Sequence, residues 1–161
     1  MSTDGQNGHA DRARKINPQL TYRQQELRKV LVRETCIAWM TTVLPRQKTD
    51  NFYPGSPAPK LQVASIVRKF CAGENFDPPL PHEMKPLGEG VWRWRTNDVR
   101  MVGWFPDRKT FVIAAIDTKA NCTPIRDNEM YQEAIAYRNE LGLNDGRFEE
   151  GEEIDDIIAI H

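Results

Sequence analysis

The sequence is poor in the residues that most recognisable sites require. It has three cysteines, Cys36, Cys71 and Cys122, isolated, odd in number and without a CxxC. That pattern excludes a disulfide framework and reads as reduced structural thiols, with no metal site. Histidine is equally scarce, at His9, His82 and His161. No apolar run approaches the ~18–20 residues of a membrane span. Met1 to Pro18 is polar and lacks the apolar centre of a signal peptide, so the expectation is a cytoplasmic chain with no membrane partner. There is no P-loop and no GxGxxG: Gly88-Glu89-Gly90 is too short and opens a strand, and no cofactor is expected. No Ser-His-Asp or Cys-His constellation is legible, and no internal repeats are present.

Net charge is also nearly absent, at −1, yet its distribution is uneven. Residues 1–59 carry nine Lys/Arg against five Asp/Glu, and residues 60–126 carry eleven against seven. Residues 127–161 carry two against eleven. A mildly basic body thus precedes a strongly acidic end. Such asymmetry fits either a nucleic-acid-facing surface with an acidic tail or a solvated tail.

Along the chain, residues 1–20 are polar and predict disorder. From Thr21 to Leu44, Leu27, Val30, Leu31, Ala38 and Thr41 recur at three- and four-residue steps, with Arg23, Arg28, Lys29 and Arg33 between them. This predicts an amphipathic basic helix stopped at Pro45, then a Pro-rich linker to residue 59. Leu61, Ala64, Val67 and Cys71 predict a second helix over 60–71, ended by Gly73. After Asp77-Pro78-Pro79-Leu80-Pro81, an extended connection, three strands follow. Gly90 to Arg95 alternates, with Val91, Arg93 and Arg95 on one face and Trp92 and Trp94 on the other. Val99 to Phe105 is the second strand. Phe111 to Ile116, apolar throughout, is the most buried. Short turns make them antiparallel neighbours. A closing helix starts at Thr123-Pro124 or is capped by Asp127, and runs through Met130, Ala134 and Leu141 to Gly142. The expected fold is α+β: a small three-stranded antiparallel sheet flanked by helices over 60–143, an extra N-terminal helix over 21–59, and an acidic tail over 144–161. The tail's apolar Ile157-Ile158-Ala159-Ile160 suggests docking on this chain or on a partner.

Several short motifs lie in order on this framework: Lys85-Pro86-Leu87-Gly88, Val91-Trp92-Arg93-Trp94-Arg95, Val99-Arg100-Met101-Val102, Asp117-Thr118-Lys119-Ala120-Asn121, Thr123-Pro124, then Ala134 and Arg138. Together they resemble the RelE/HigB-type toxin superfamily, particularly its phage-associated HigB-like branch, over residues about 61–143. Two departures stand out: a Lys pair usual in that branch is reduced to Lys119-Ala120, and minimal toxins are compact and basic, without the acidic tail.

The resemblance implies a ribosome-dependent mRNA endonuclease that sets the ribose 2′-hydroxyl on the adjacent phosphate, without metal. Guanidinium forks suit the charge that develops on phosphorus, and a further group must protonate the leaving 5′-oxygen. Arg95, Arg100 and Lys119 are the catalytic candidates, and Lys85, Arg93 and Tyr131 the RNA-binding ones, Tyr137 being an alternative stacking surface to Tyr131. One-sided arginines are equally what a solvated sheet displays, and Trp92, Trp94 and Trp104 read as core. His82 is a loop residue with acid–base chemistry available. Partners under this reading are mRNA, the ribosome and a helix-turn-helix antitoxin. The alternative is a non-catalytic phage-type effector that binds a host protein or nucleic-acid machine. A third arrangement has the acidic tail folding over the chain's own basic sheet.

Overall fold

The computed structural model describes residues 11–49, 55, 57–74, 84–152, 154 and 157. Its centre is one six-stranded mixed sheet, which corrects the expected three-stranded antiparallel one. The strands are β1 (Ala13–Lys15), β2 (Lys29–Arg33), β3 (Met84–Gly88), β4 (Val91–Arg95), β5 (Val99–Asp107) and β6 (Thr110–Thr118), in the spatial order β1-β2-β6-β5-β4-β3. All neighbours are antiparallel except β2 and β6, which run parallel with Val30 opposite Phe111 and Val32 opposite Ile113. The class remains α+β, and the three expected strands form its interior as β4, β5 and β6.

The extra strands arise where helical spacing misled. The segment expected as one helix from Thr21 to Leu44 is divided: Lys29–Arg33 is β2, and helix α1 spans only Glu34–Thr42. Within β2 the burial alternates, with Val30 and Val32 fully buried. That is the period-two signature of a strand against a core. Residues 13–15, expected to be disordered, form edge strand β1 against β2. At the other edge, β3 contains Pro86, which lacks a donor and is tolerated because an edge strand pairs on one side only.

The remaining elements match the expected spans. Helix α2 (Pro59–Cys71) begins on its proline and is followed by Gly73 at φ 77°. Helix α3 (Pro124–Leu141) is capped by Thr123, whose hydroxyl accepts from Arg126 N at 3.2 Å, and ends at Gly142 in the left-handed region. Of the two starts, Thr123-Pro124 is the one adopted.

Helices cover both faces of the sheet. Under α1 and α2 lie Trp92, Trp94, Phe105, Phe111 and Met101, all fully buried, and α2 adds its own buried Phe70. The rings of Phe70 and Trp94, and of Trp94 and Phe111, stand edge to face at 5.4 Å, the arrangement aromatic quadrupoles prefer. Each such side chain contributes roughly 1.5–3 kcal/mol on burial. On the other face α3 packs Met130, Ala134 and Tyr137 onto Val91, Val102, Trp104 and Val112. The tail docks on its own chain: Ile154 and Ile157 join the core under α2, and Phe148 joins the α3 face. Residues 158–161 of the expected docking segment lie outside the described residues. No helix among the described residues is long and apolar enough to cross a membrane.

Candidate functional site

Strand parity builds a cationic row at one end of the α3 face. Arg93 and Arg95 alternate with the buried Trp92 and Trp94, so both share the face of Val91. The β4–β5 register sets Arg95 directly opposite Arg100, and the β3–β4 register sets Lys85 opposite Arg93. Four of the expected cations therefore share a face across three strands. Like charges directly opposite one another on a sheet cost about 0.2–1 kcal/mol, which an anion would offset.

The turn between Arg95 and Arg100 is tied to α2. Buried Gln62 of α2 accepts from the Thr96 hydroxyl at 2.8 Å and from Asp98 N at 3.0 Å. Its amide nitrogen donates to Asp98 Oδ2 at 2.6 Å. One side chain thus pins both ends of the β4–β5 turn to the helix layer.

The four cations differ in availability. Arg100 is buried, and its Nη1 donates to the carbonyls of Thr96 at 2.6 Å and Val99 at 3.1 Å. Burial, and then the like charges of Arg95 and Arg93, push its guanidinium below the ordinary value. Arg93 is half-buried; its Nε has no hydrogen-bond partner among the described residues, and its Nη1 lies 3.9 Å from Asp127 Oδ2. Arg95 is half-buried and Lys85 exposed. The row thus has an internal member, Arg100, and three members at or near the surface.

Carboxylates border the row, and they are engaged. Asp117 stands opposite Arg100 on β6 but is bound by Arg126 Nε at 2.9 Å and Asn121 Nδ2 at 2.9 Å. Burial opposes the Asp117 carboxylate, yet these hydrogen bonds win and hold its pKa below the usual range. Arg126 also reaches Glu133 at 3.0 Å, so it belongs to an acidic cluster on α3 rather than to the cationic row.

The other expected site residues are placed less uniformly. Tyr131 is half-buried on α3, its hydroxyl beside Gly88 at the end of β3, the strand that carries Lys85. Tyr137 is core: it is buried, donates from its hydroxyl to Asp11 O at 2.9 Å, and has Arg33 over its ring at 4.4 Å. Lys119 is separate. It lines a recess of about 350 Å³ with Lys48, Pro59, Asp98 and Thr118, on the α2 side of the sheet. His9, His82 and His161 lie outside the described residues. Among the described residues, no group of three or more His, Cys, Asp or Glu side chains is placed to hold a metal ion.

Sequence reasoning missed a second cationic feature. Arg28-Lys29 and Arg108-Lys109 are dibasic pairs preceding or opening β2 and β6. Parallel pairing, with Lys29 opposite Thr110, brings the two pairs side by side. The repeated dibasic pair before an apolar run was the only local signal.

Comparison of the chain with protein-family models, with curated proteins and with solved structures finds no match.

Proposed function

We propose that this protein binds RNA in the cytoplasm through the Lys85–Arg93–Arg95–Arg100 row and cuts it as a metal-independent endoribonuclease of the RelE/HigB toxin type. One observation supports the reading: the strand registers align four cations on one face in two directly opposed pairs, where an anionic backbone relieves their repulsion. Arg93 and Arg95 supply forks for the phosphate oxygens, Lys85 adds a mobile charge at the edge, and Tyr131 offers a ring beside them. Arg100 acts from beneath as a positioning residue that holds the turn. In the reaction the 2′-hydroxyl gives up its proton to solvent as its oxygen attacks phosphorus, the bond to the 5′-oxygen breaks, and that oxygen takes a proton from solvent, leaving a 2′,3′-cyclic phosphate. Arginines facing the phosphate favour the charge that gathers on its oxygens. The ribosome and its mRNA are the proposed partners, with a small helix-turn-helix antitoxin restraining the activity.

The test is induced expression with growth and the integrity of a translated mRNA as readouts. Wild type should arrest growth and cut the message, and Arg93→Ala and Arg95→Ala should abolish both while the purified variants melt as wild type does. Intact message and unimpeded growth with wild type would sink the reading. A second reading draws on Arg100, which is buried and whose Nη1 is held by two backbone carbonyls. It keeps the row as a binding surface without cleavage, in an effector that occupies a host nucleic-acid machine. Uncut mRNA together with ribosome co-sedimentation lost in Lys85→Ala/Arg93→Ala would select it.

A further inference from the structure

At the end of the sheet opposite the arginine row, the β2 and β6 starts and the β1 edge border an open recess of about 600 Å³. Thr110 and Asp117 of β6 mark the two ends, roughly 23 Å apart at ~3.3 Å per residue. Five cations line the recess, Lys15, Arg28, Lys29, Arg108 and Lys109, against two carboxylates.

Both carboxylates are already engaged. Glu26 pairs with Lys15 at 2.8 Å, and Asp107 accepts from Lys109 N at 2.8 Å and from the Thr110 hydroxyl at 3.1 Å. Among the described residues, no carboxylate lies within ion-pair distance of Arg28, Lys29 or Lys109. Arg28 is the most telling of them. It is only 7% exposed, lies over the Phe70 ring at 5.3 Å, and donates to Glu74 O across a long 3.5 Å. A buried guanidinium with so little compensation is costly unless an anion completes its fork.

The wall is not purely ionic. Leu27 lines it while 45% exposed, and its position is set from behind, since a Cβ on Gly73 would stand 2.6 Å from Leu27 Cδ1. Backbone bonds fix the frame: Leu27 N and Arg28 N both donate to Cys71 O, and Lys29 N donates to Lys109 O at 2.8 Å.

We propose that this recess is a second anion site, which takes the phosphate groups of a nucleotide-sized ligand on Arg28, Lys29 and Lys109 and its base against Leu27. The volume lies within the ~300–1,000 Å³ of small-ligand sites and exceeds what a lone phosphate fills. The site is independent of the RNA reading, because the two surfaces occupy opposite ends of the sheet.

Calorimetric titration of the full chain with ADP and with inorganic pyrophosphate tests it. Both should bind, and Lys29→Ala/Lys109→Ala should weaken each by about tenfold or more, a loss of ~1.4 kcal/mol. Both lysines are exposed, so the melting temperature should hold; Lys109→Glu alone gives the same reading from a single change. Leu27→Ser should weaken ADP more than pyrophosphate, and Lys85→Ala should change neither. The proposal is overturned if wild type gives no heat at about 1 mM of either ligand. It also falls if the lysine variants bind as wild type does, or if Lys85→Ala loses as much. Binding of a single-stranded oligoribonucleotide that needs Lys29 and Lys109, without binding of either small ligand, would make the recess an RNA backbone groove and overturn the small-ligand assignment.

Discussion

Replacing Lys85 by alanine is the most direct probe of the cationic row, because it removes a charge without touching the core. Lys85 is exposed on edge strand β3 and stands opposite Arg93, so its loss leaves the sheet registers intact. Substitutions at such surface positions usually shift stability by no more than about 0.5 kcal/mol. Arg100 is buried with its Nη1 on two carbonyls, so Lys85, Arg93 and Arg95 are counted as the phosphate neutralisers. For a single strand the slope of log K against log salt is about −0.7 per phosphate neutralised, so three cations give about −2.1. Raising KCl from about 50 to about 200 mM should then weaken wild-type binding ~18-fold, and Lys85→Ala binding only ~7-fold, with a slope of about −1.4. Fluorescence anisotropy of a labelled oligoribonucleotide across that series reads both slopes directly. Asp127→Asn, which removes the carboxylate 3.9 Å from Arg93, should strengthen binding without steepening the wild-type slope by a full charge. Equal slopes for wild type and Lys85→Ala would refute the row as the RNA-binding surface.

Other perturbations address the frame. Gly103→Ala should cost about 3 kcal/mol or more of unfolding free energy measured by urea titration, at the top of the overpacking range, because a Cβ there would meet Val112 O at 1.6 Å. A chain ended after Gly151 loses buried Ile154 and Ile157, and its thermal melt should report a loss of up to about 3–6 kcal/mol. Burial pushes the Cys36 thiol up to about 12 and the Cys71 thiol up to about 11. Raised thiol values mean that the unfolded chain ionises first, near about 8.5. Stability should thus be full below that pH and fall as pH rises towards 11–12, and a double Cys36→Ala/Cys71→Ala variant should show a shallower alkaline decline in equilibrium unfolding.

Legibility in the sequence followed the range of the interactions. Elements set by local chemistry were readable: the proline start of α2, the Thr123 cap and Gly142 end of α3, and the alternation of Val91 to Arg95. Short turns fixed the β4–β5–β6 order, and the central placement of β6 followed from its unbroken apolar run. Strand β2 was not readable in the same way. Its five residues fit two periods at once, because Val30 and Leu31 continue a helical spacing that Leu27 begins and Ala38 resumes. The partner that decides the matter, β6, enters some eighty positions later, Lys29 against Thr110. Strand β3 carries a proline and a glycine, both signals against a strand unless an edge position is known. The site divides along the same line. Arg93, Arg95 and Arg100 were legible because one hairpin aligns them, whereas the Arg28-Lys29 and Arg108-Lys109 recess exists only through the parallel pairing.

That division also relocates the acidic tail. A tail folded over the arginine row would have to reach the β4–β5 turn, held by Gln62. Its described part instead crosses the far end of β5: Glu149 N donates to Phe105 O at 2.8 Å, and Asn144 Nδ2 to Pro106 O at 2.6 Å. It then passes to the α2 side, where Arg108 Nε donates to Ile157 O at 2.9 Å. Arg108 also lines the second anion recess, so the tail's anchor and that recess share a side chain. Phe148 fixes the crossing, since it sits under Arg138 at 3.7 Å and fills the space where Gly90 has no Cβ. Loss of the residues after Gly151, which leaves Phe148 in place on the β3–β4 turn, must therefore act first on Arg108 and the recess, and reach the arginine row only through global stability. Truncation and charge reversal at the row are consequently separable: RNA affinity measured well below the melting transition should respond to Lys85 and Arg93 and stay unchanged when the residues after Gly151 are removed.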